Sequence, residues 1–118
     1  MSFIALSTAS PKQRREARAQ ARIASEFLKA LSHDGRLLIL CLLADREATV
    51  TEITSHLDMP QSAVSQQLTR LRLDRLVEAR REGRNIHYVV ARQEVTALLA
   101  TLNDLFCEPS RAAGRGKP

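Results

Sequence analysis

A capping box at Thr49-Val50-Thr51-Glu52, a proline stop at Pro60 and two β-prone runs bracketing Gly83 predict a mainly α-helical chain with one small β-hairpin. The order of these signals is that of a helix-turn-helix followed by a two-stranded wing. In the box, the Thr49 hydroxyl accepts from the Glu52 N–H while the Glu52 carboxylate reaches back to the cap, so a helix starts there. Val50, Ile53 and Leu57 form one apolar stripe, and Asp58-Met59-Pro60 ends it because the residue before a proline is pushed out of the helical region. A second helix begins at Gln61 or Ser62, with Val64, Leu68, Leu71 and Arg75 along one face. That leaves Gln61, Ser62, Ser65, Gln66, Thr69 and Arg70 on its sides or outer face. Val77 to Glu82 and Ile86 to Val90 then bracket the tip Gly83-Arg84-Asn85, and Arg80, Arg81 and Arg84 crowd this ribbon.

The flanks read as helices too. Ser10-Pro11-Lys12-Gln13 is another capping box with proline at the first helical position, and Ala17, Ala21, Ala24, Leu28 and Leu31 then repeat at alternating spacings of four and three. Arg14, Arg18 and Arg22 run down one face, either as a phosphate-contacting ridge or as a solvated surface. Val95, Leu98, Leu99, Leu102, Leu105 and Phe106 stripe a last helix that Pro109 should terminate. Apolar seams on the first and last helices are most simply a homodimer interface. The expected organisation is a tail over residues 1–9, one DNA-binding and dimerisation domain over 10–108, and a second tail over 109–118, both tails disordered.

Composition bounds the function. The chain has 118 residues and a net charge of +5, carried mostly by arginine, which suits bidentate phosphate contact. The longest uncharged apolar run, Leu37 to Ala44, is too short to span a membrane. The basic cluster follows the uncharged first ten residues, the wrong order for a secretory signal, so a cytoplasmic protein is expected. On the second helix, serine and arginine are phosphate contacts and glutamine can pair with adenine in the major groove. Double-stranded DNA is therefore the expected partner, against a bland alternative in which these are solvated polar residues. The wing arginines likewise suit backbone or minor-groove contact, or else only solubilise an edge hairpin.

Leu31 to Leu40, Gln61 to Leu68 and Arg81 to Gly83-Arg84 together resemble the ArsR/SmtB winged-helix repressors, over about residues 12 to 107. The resemblance implies a homodimer that binds an inverted-repeat operator when unliganded and releases it when a signal is sensed. No cofactor is implied.

Any chemistry beyond DNA binding lies in Cys41 and Cys107. Two thiols in a reducing compartment are not a disulfide framework. Cys41, inside the apolar run Leu37 to Leu43, reads by itself as a small core hydrophobe. Cys107, beside Glu108-Pro109, should be more accessible. Many ArsR relatives sense metals through a C-x-C pair on the helix that here holds Cys41, but the partner position is Ile39, and Gln93 to Cys107 contains no histidine. His33, His56 and His87 lie on separate elements without ligand spacing, so no metal site is expected and each reads as an ordinary polar residue.

The two cysteine positions resemble those of the dithiol, sulfide-responsive subgroup typified by SqrR and BigR. In that subgroup the resemblance implies that reactive sulfur species, persulfides and polysulfides, link the two thiols through a sulfur bridge and derepress sulfide-response genes. The alternative is an ArsR-type repressor answering another oxidant or a metal, with the cysteines structural or partial ligands. Two further classes are disfavoured. One is a thiol oxidoreductase, which lacks its C-x-x-C, a paired base and a glycine-rich loop; the other is a winged-helix adaptor that binds protein instead of DNA, and a salt-titrated binding assay with random duplex separates both from the repressor reading.

Overall fold

The computed structural model describes residues 6–107. It comprises a 3-10 turn at Leu6–Thr8, then α1 (Pro11–Leu31), α2 (Asp34–Asp45), α3 (Val50–Leu57), α4 (Gln61–Leu73), β1 (Val77–Glu82), β2 (Asn85–Val90) and α5 (Gln93–Phe106). The chain divides between His33 and Asp34 into two compact units, described in turn.

In the first unit the expected capping box forms: Ser10 N–H donates to Gln13 Oε1 at 2.8 Å and Gln13 N–H to Ser10 Oγ at 3.1 Å. Pro11 at the first position loses nothing, because its absent N–H would have had no helical partner. The 3-10 turn lies within the segment expected as a tail and packs on α1 beside Ala17, which is buried. Ala21, Ile23 and Leu28 remain exposed. Arg14 donates to the Ala9 carbonyl at 2.9 Å.

The second unit is built on α2, which packs against α3, α4, β2 and α5. Its core contains Ile39, Leu40 and Leu43 of α2, Ile53 of α3, Val64, Leu68 and Leu71 of α4, Leu76 and Val77, and Val95 and Leu99 of α5. Burial of side chains of this size contributes about 1.5–3 kcal/mol each. The Thr49/Glu52 box is present in both directions, at 2.9 and 3.2 Å. Helix α3 ends on Asp58 in the left-handed region, φ 53°.

Helix α4 begins at Gln61 and stops at Leu73, so Arg75, expected on its inner face, instead lies beyond the helix with φ 62°. There the Leu76 N–H returns to the Leu71 carbonyl at 2.9 Å, a helix-ending turn that usually takes glycine.

The hairpin is antiparallel, with Val77 opposite Val90 and Glu82 opposite Asn85. Asn85 is thus the first residue of β2, and the connection is the two residues Gly83-Arg84. Gly83 has φ +65°, the backbone that such tight hairpins require and that glycine adopts without steric cost. The outer edge of β2 is tied down by a bridge to Ala48: Tyr88 N–H donates to the Ala48 carbonyl at 2.8 Å and Ala48 N–H to the Tyr88 carbonyl at 3.2 Å. Helix α5 ends at Phe106 with Cys107 as its cap. Pro109 and the segment 109–118 lie outside the described residues.

Candidate nucleic-acid interface and thiol pair

Two inner contacts orient α4. Val64, Leu68 and Leu71 are buried, and Arg36 Nε of α2 donates to Gln67 Oε1 at 3.0 Å. With that face fixed, Gln61, Ser62, Ser65, Gln66, Thr69 and Arg70 are all exposed. Among the described residues, Gln61, Ser62, Ser65 and Gln66 make no side-chain hydrogen bond and are open to a ligand. Thr69 Oγ1 donates to the Ser65 carbonyl at 2.9 Å, and Arg70 Nε meets Asp74 at 3.1 Å in an i,i+4 pair. Helix α4 is entered from Pro60 with no side-chain cap, so its first N–H groups are unclaimed by a capping side chain and the positive end of its dipole faces outward.

The wing arginines divide into two kinds. Arg80 lies across the strands from His87 and pairs with both Glu47, in the α2–α3 connection, and Glu82, the latter at 3.3 Å. Arg81 and Arg84 are exposed and, among the described residues, have no acidic partner. Two cationic side chains therefore remain available at the hairpin tip.

The cysteines are both exposed, and neither is in a disulfide. This corrects the expectation for Cys41 as a core residue. Ile39, Leu40 and Leu43 point inward, whereas Leu38 and Cys41, three residues apart, share an open face. Because α2 is apolar all round from Leu37 to Ala44, its periodicity there held no signal for which side was buried. Cys107 closes α5, its N–H donating to the Asn103 carbonyl at 2.9 Å. Partial burial of the sulfur, and secondarily the charge of Cys107, push the Cys41 thiol above the ordinary range. A negative charge on Cys107 thus disfavours ionisation of Cys41.

A further constellation was not legible in the sequence. Glu47, Glu82 and His87 bring one ligand atom each to within 4.8 Å of one another. His87 Nδ1 is 3.4 Å from Glu47 and Nε2 is 3.5 Å from Glu82. No sequence spacing marks residues separated by 35 and 40 positions in one case and by a hairpin turn in the other. The group includes neither cysteine, and Arg80 already engages both carboxylates.

Residues 33–79 match the family described as bacterial regulatory protein, arsR family. The transcriptional activator HlyU of Vibrio cholerae is 41% identical over 85 residues, covering 72% of this chain and 79% of that protein. The chain belongs to the ArsR family. The biofilm growth-associated repressor of Agrobacterium fabrum is 40% identical over 83 residues, covering 70% of this chain and 71% of that one. Among solved structures, reduced HlyU from Vibrio cholerae aligns with a TM-score of 0.74 at 40% identity, over 79% of this chain and 98% of that one. The transcriptional repressor BigR from Xylella fastidiosa aligns with a TM-score of 0.74 at 33% identity, over 80% and 96%. This ArsR-family chain is thus a winged helix-turn-helix transcriptional regulator and not an enzyme. No helix among its described residues is long and apolar enough to cross a membrane.

Proposed function

We propose that this regulator is a homodimeric repressor of sulfide-response genes that releases an inverted-repeat operator when reactive sulfur species join Cys41 to Cys107. The observation that carries this reading is that both thiols are exposed and outside any disulfide, one on α2 and one at the end of α5, two helices that pack against one another. The relatives support the repressor half, since the Agrobacterium fabrum protein and BigR of Xylella fastidiosa are both named repressors.

On the DNA side, Gln61, Ser62, Ser65 and Gln66 enter the major groove, and Arg81 and Arg84 hold flanking phosphates. On the sensing side, burial disfavours the Cys41 thiolate, so Cys107 is the first nucleophile. Its thiolate attacks a sulfane sulfur of a polysulfide, forming one S–S bond as another breaks and expelling hydrosulfide. Cys41 then attacks the inner sulfur that carries the terminal –SH of the chain left on Cys107, forming the bridge and expelling that terminal sulfur as a second hydrosulfide, its own proton leaving with it. The two thiols are oxidised, and the polysulfide is the oxidant. The second copy in the dimer would cover apolar side chains that are open in one chain, among them Leu105 and Phe106 of α5 at 65% and 75% exposure.

The test is mass spectrometry and operator binding after polysulfide treatment. Wild type should gain sulfur mass within one linked species and lose affinity. Cys41→Ser and Cys107→Ser should bind normally when untreated and not respond. A full response in either variant rejects the dithiol switch.

A further inference from the structure

His87 is the residue of the wing that the DNA-binding reading leaves without a role. Its side chain is 19% exposed, and Nδ1 is buried without a hydrogen bond although Glu47 Oε1 lies 3.4 Å away. On the other side of the ring, Nε2 stands 3.5 Å from Glu82 Oε1. Arg80, the cross-strand neighbour of His87, engages the same Glu47 oxygen and the second oxygen of Glu82. The charges do not balance: two carboxylates face one guanidinium, which leaves one negative charge uncompensated while the imidazole is neutral. A proton on His87 cancels it and converts two close approaches into ion pairs.

The surrounding elements supply no competing solution. From α3, Glu52 feels His87 electrostatically but is itself paired with Arg46 at 3.2 Å. Among the described residues, no ion pair reaches His87 from α2 itself, α4 or α5. Histidine is the side chain whose ordinary titration falls between about pH 5 and 8.

We propose that Glu47, Arg80, Glu82 and His87 form a proton-responsive clamp that fixes the wing to the α2–α3 connection, and that DNA binding by the wing is coupled to proton uptake at His87. The physical reason is twofold. The uncompensated negative charge of the cluster, at the base of a wing that meets phosphate, opposes the approach of the DNA backbone, and protonation removes it. Protonation also adds ionic contacts from β2 to Glu47 and so holds the tip, with Arg81 and Arg84, in one orientation. By reciprocity, a duplex that prefers the protonated clamp raises the proton affinity of the clamp by the same factor. This inference rests on the proposed contact of the wing with DNA.

The test uses the reduced full chain and a fluorescent duplex selected by the wild-type protein from a random-sequence pool, at constant ionic strength because affinity follows salt steeply. Wild type should bind about fivefold more tightly at pH 6 than at pH 8, the lower end of the usual range of coupling between linked sites. His87→Gln should lose that gain, whatever slope His33 and His56 leave behind. Glu82→Gln, at an exposed position near the tip, should bind at pH 8 as tightly as wild type does at pH 6 and show little further gain. If His87→Gln only lowers the melting temperature and keeps the wild-type pH profile, His87 is a packing residue and the clamp is overturned. If it does not fold, a Glu82→Gln variant that keeps the wild-type pH profile overturns it equally. Arg84→Ala separates the two ideas. An unchanged affinity and salt slope in that variant removes the wing contact and the clamp together, whereas a weakened Arg84→Ala beside a wild-type-like His87→Gln or Glu82→Gln profile removes the clamp alone.

Discussion

At the scale of single residues, side-chain freedom separates the groups available to a partner from those spent on the fold. Gln66 and Ser65 are exposed and make no side-chain hydrogen bond among the described residues, while Gln67 between α4 and α2 accepts from Arg36. Gln66→Ala should therefore relax sequence preference in a competition between selected and random duplexes. Gln67→Ala should change stability first, because it deletes a side-chain hydrogen bond between α4 and α2 at a half-buried position. Arg84→Ala should weaken all duplexes alike and reduce the salt slope by about one unit. Equal discrimination by wild type and Gln66→Ala would move base reading away from the exposed face of α4.

At the scale of elements, the two ends of the helix-turn-helix differ in how well they are made. Thr49 caps α3 with its box closed in both directions, so Thr49→Ala should cost about 1 kcal/mol in a denaturant titration. The hydrogen bond from the Thr49 backbone, with smaller help from Arg46, holds the Glu52 carboxyl below the usual carboxylate range. A depressed carboxyl stabilises the fold above its unfolded-state pKa, near 4.3, and that contribution disappears as pH falls through the folded value. Glu94 at the start of α5 is lowered in the same sense by its own backbone N–H and by Arg92. The contribution of these two carboxyls to stability should thus be constant from neutrality to about pH 5 and fall below it, and the acid limb of the stability curve should be less steep in Glu52→Gln. The other end of the motif is strained, with Arg75 held at φ 62°. Arg75→Gly should raise stability by about 0.5–1 kcal/mol, offset in part by the greater freedom of glycine in the unfolded chain. An unchanged melting curve would mean that Arg75 is held by contacts worth as much as the strain.

At the scale of the whole molecule, the proposed dimer and switch make a joint demand. Leu105 is 65% exposed near the end of α5, so Leu105→Glu should leave the chain folded and place a charge in the interface. Sedimentation should then show monomer, with operator binding lost, because two half-sites about 34–36 Å apart are read only by a pair of helices in fixed register. A stable Leu105→Glu dimer would move the interface elsewhere. A sulfur bridge between α2 and α5 would act on the same geometry, and a coupling of ~3 kcal/mol would weaken binding about 150-fold.

What the sequence determined by itself is everything governed by local rules. The capping boxes at Ser10 and Thr49, the proline stop before α4, the glycine in the hairpin tip and the alternation that buries Val64, Leu68 and Leu71 follow from the backbone preferences of a few adjacent residues. The exposed polar set on α4 was legible for the same reason, as the complement of an apolar stripe. Tertiary structure alone decided the rest. The apolar run Leu37 to Ala44 of α2 has no periodic signal, so only the packing of α2 against α3, α4, α5 and β2 turns Cys41 outward. Arg80 looked equivalent to Arg81 and Arg84 until the fold brought Glu47 against the wing. That cluster joins side chains far apart in the chain, and long-range proximity is a product of chain topology to which no local preference corresponds.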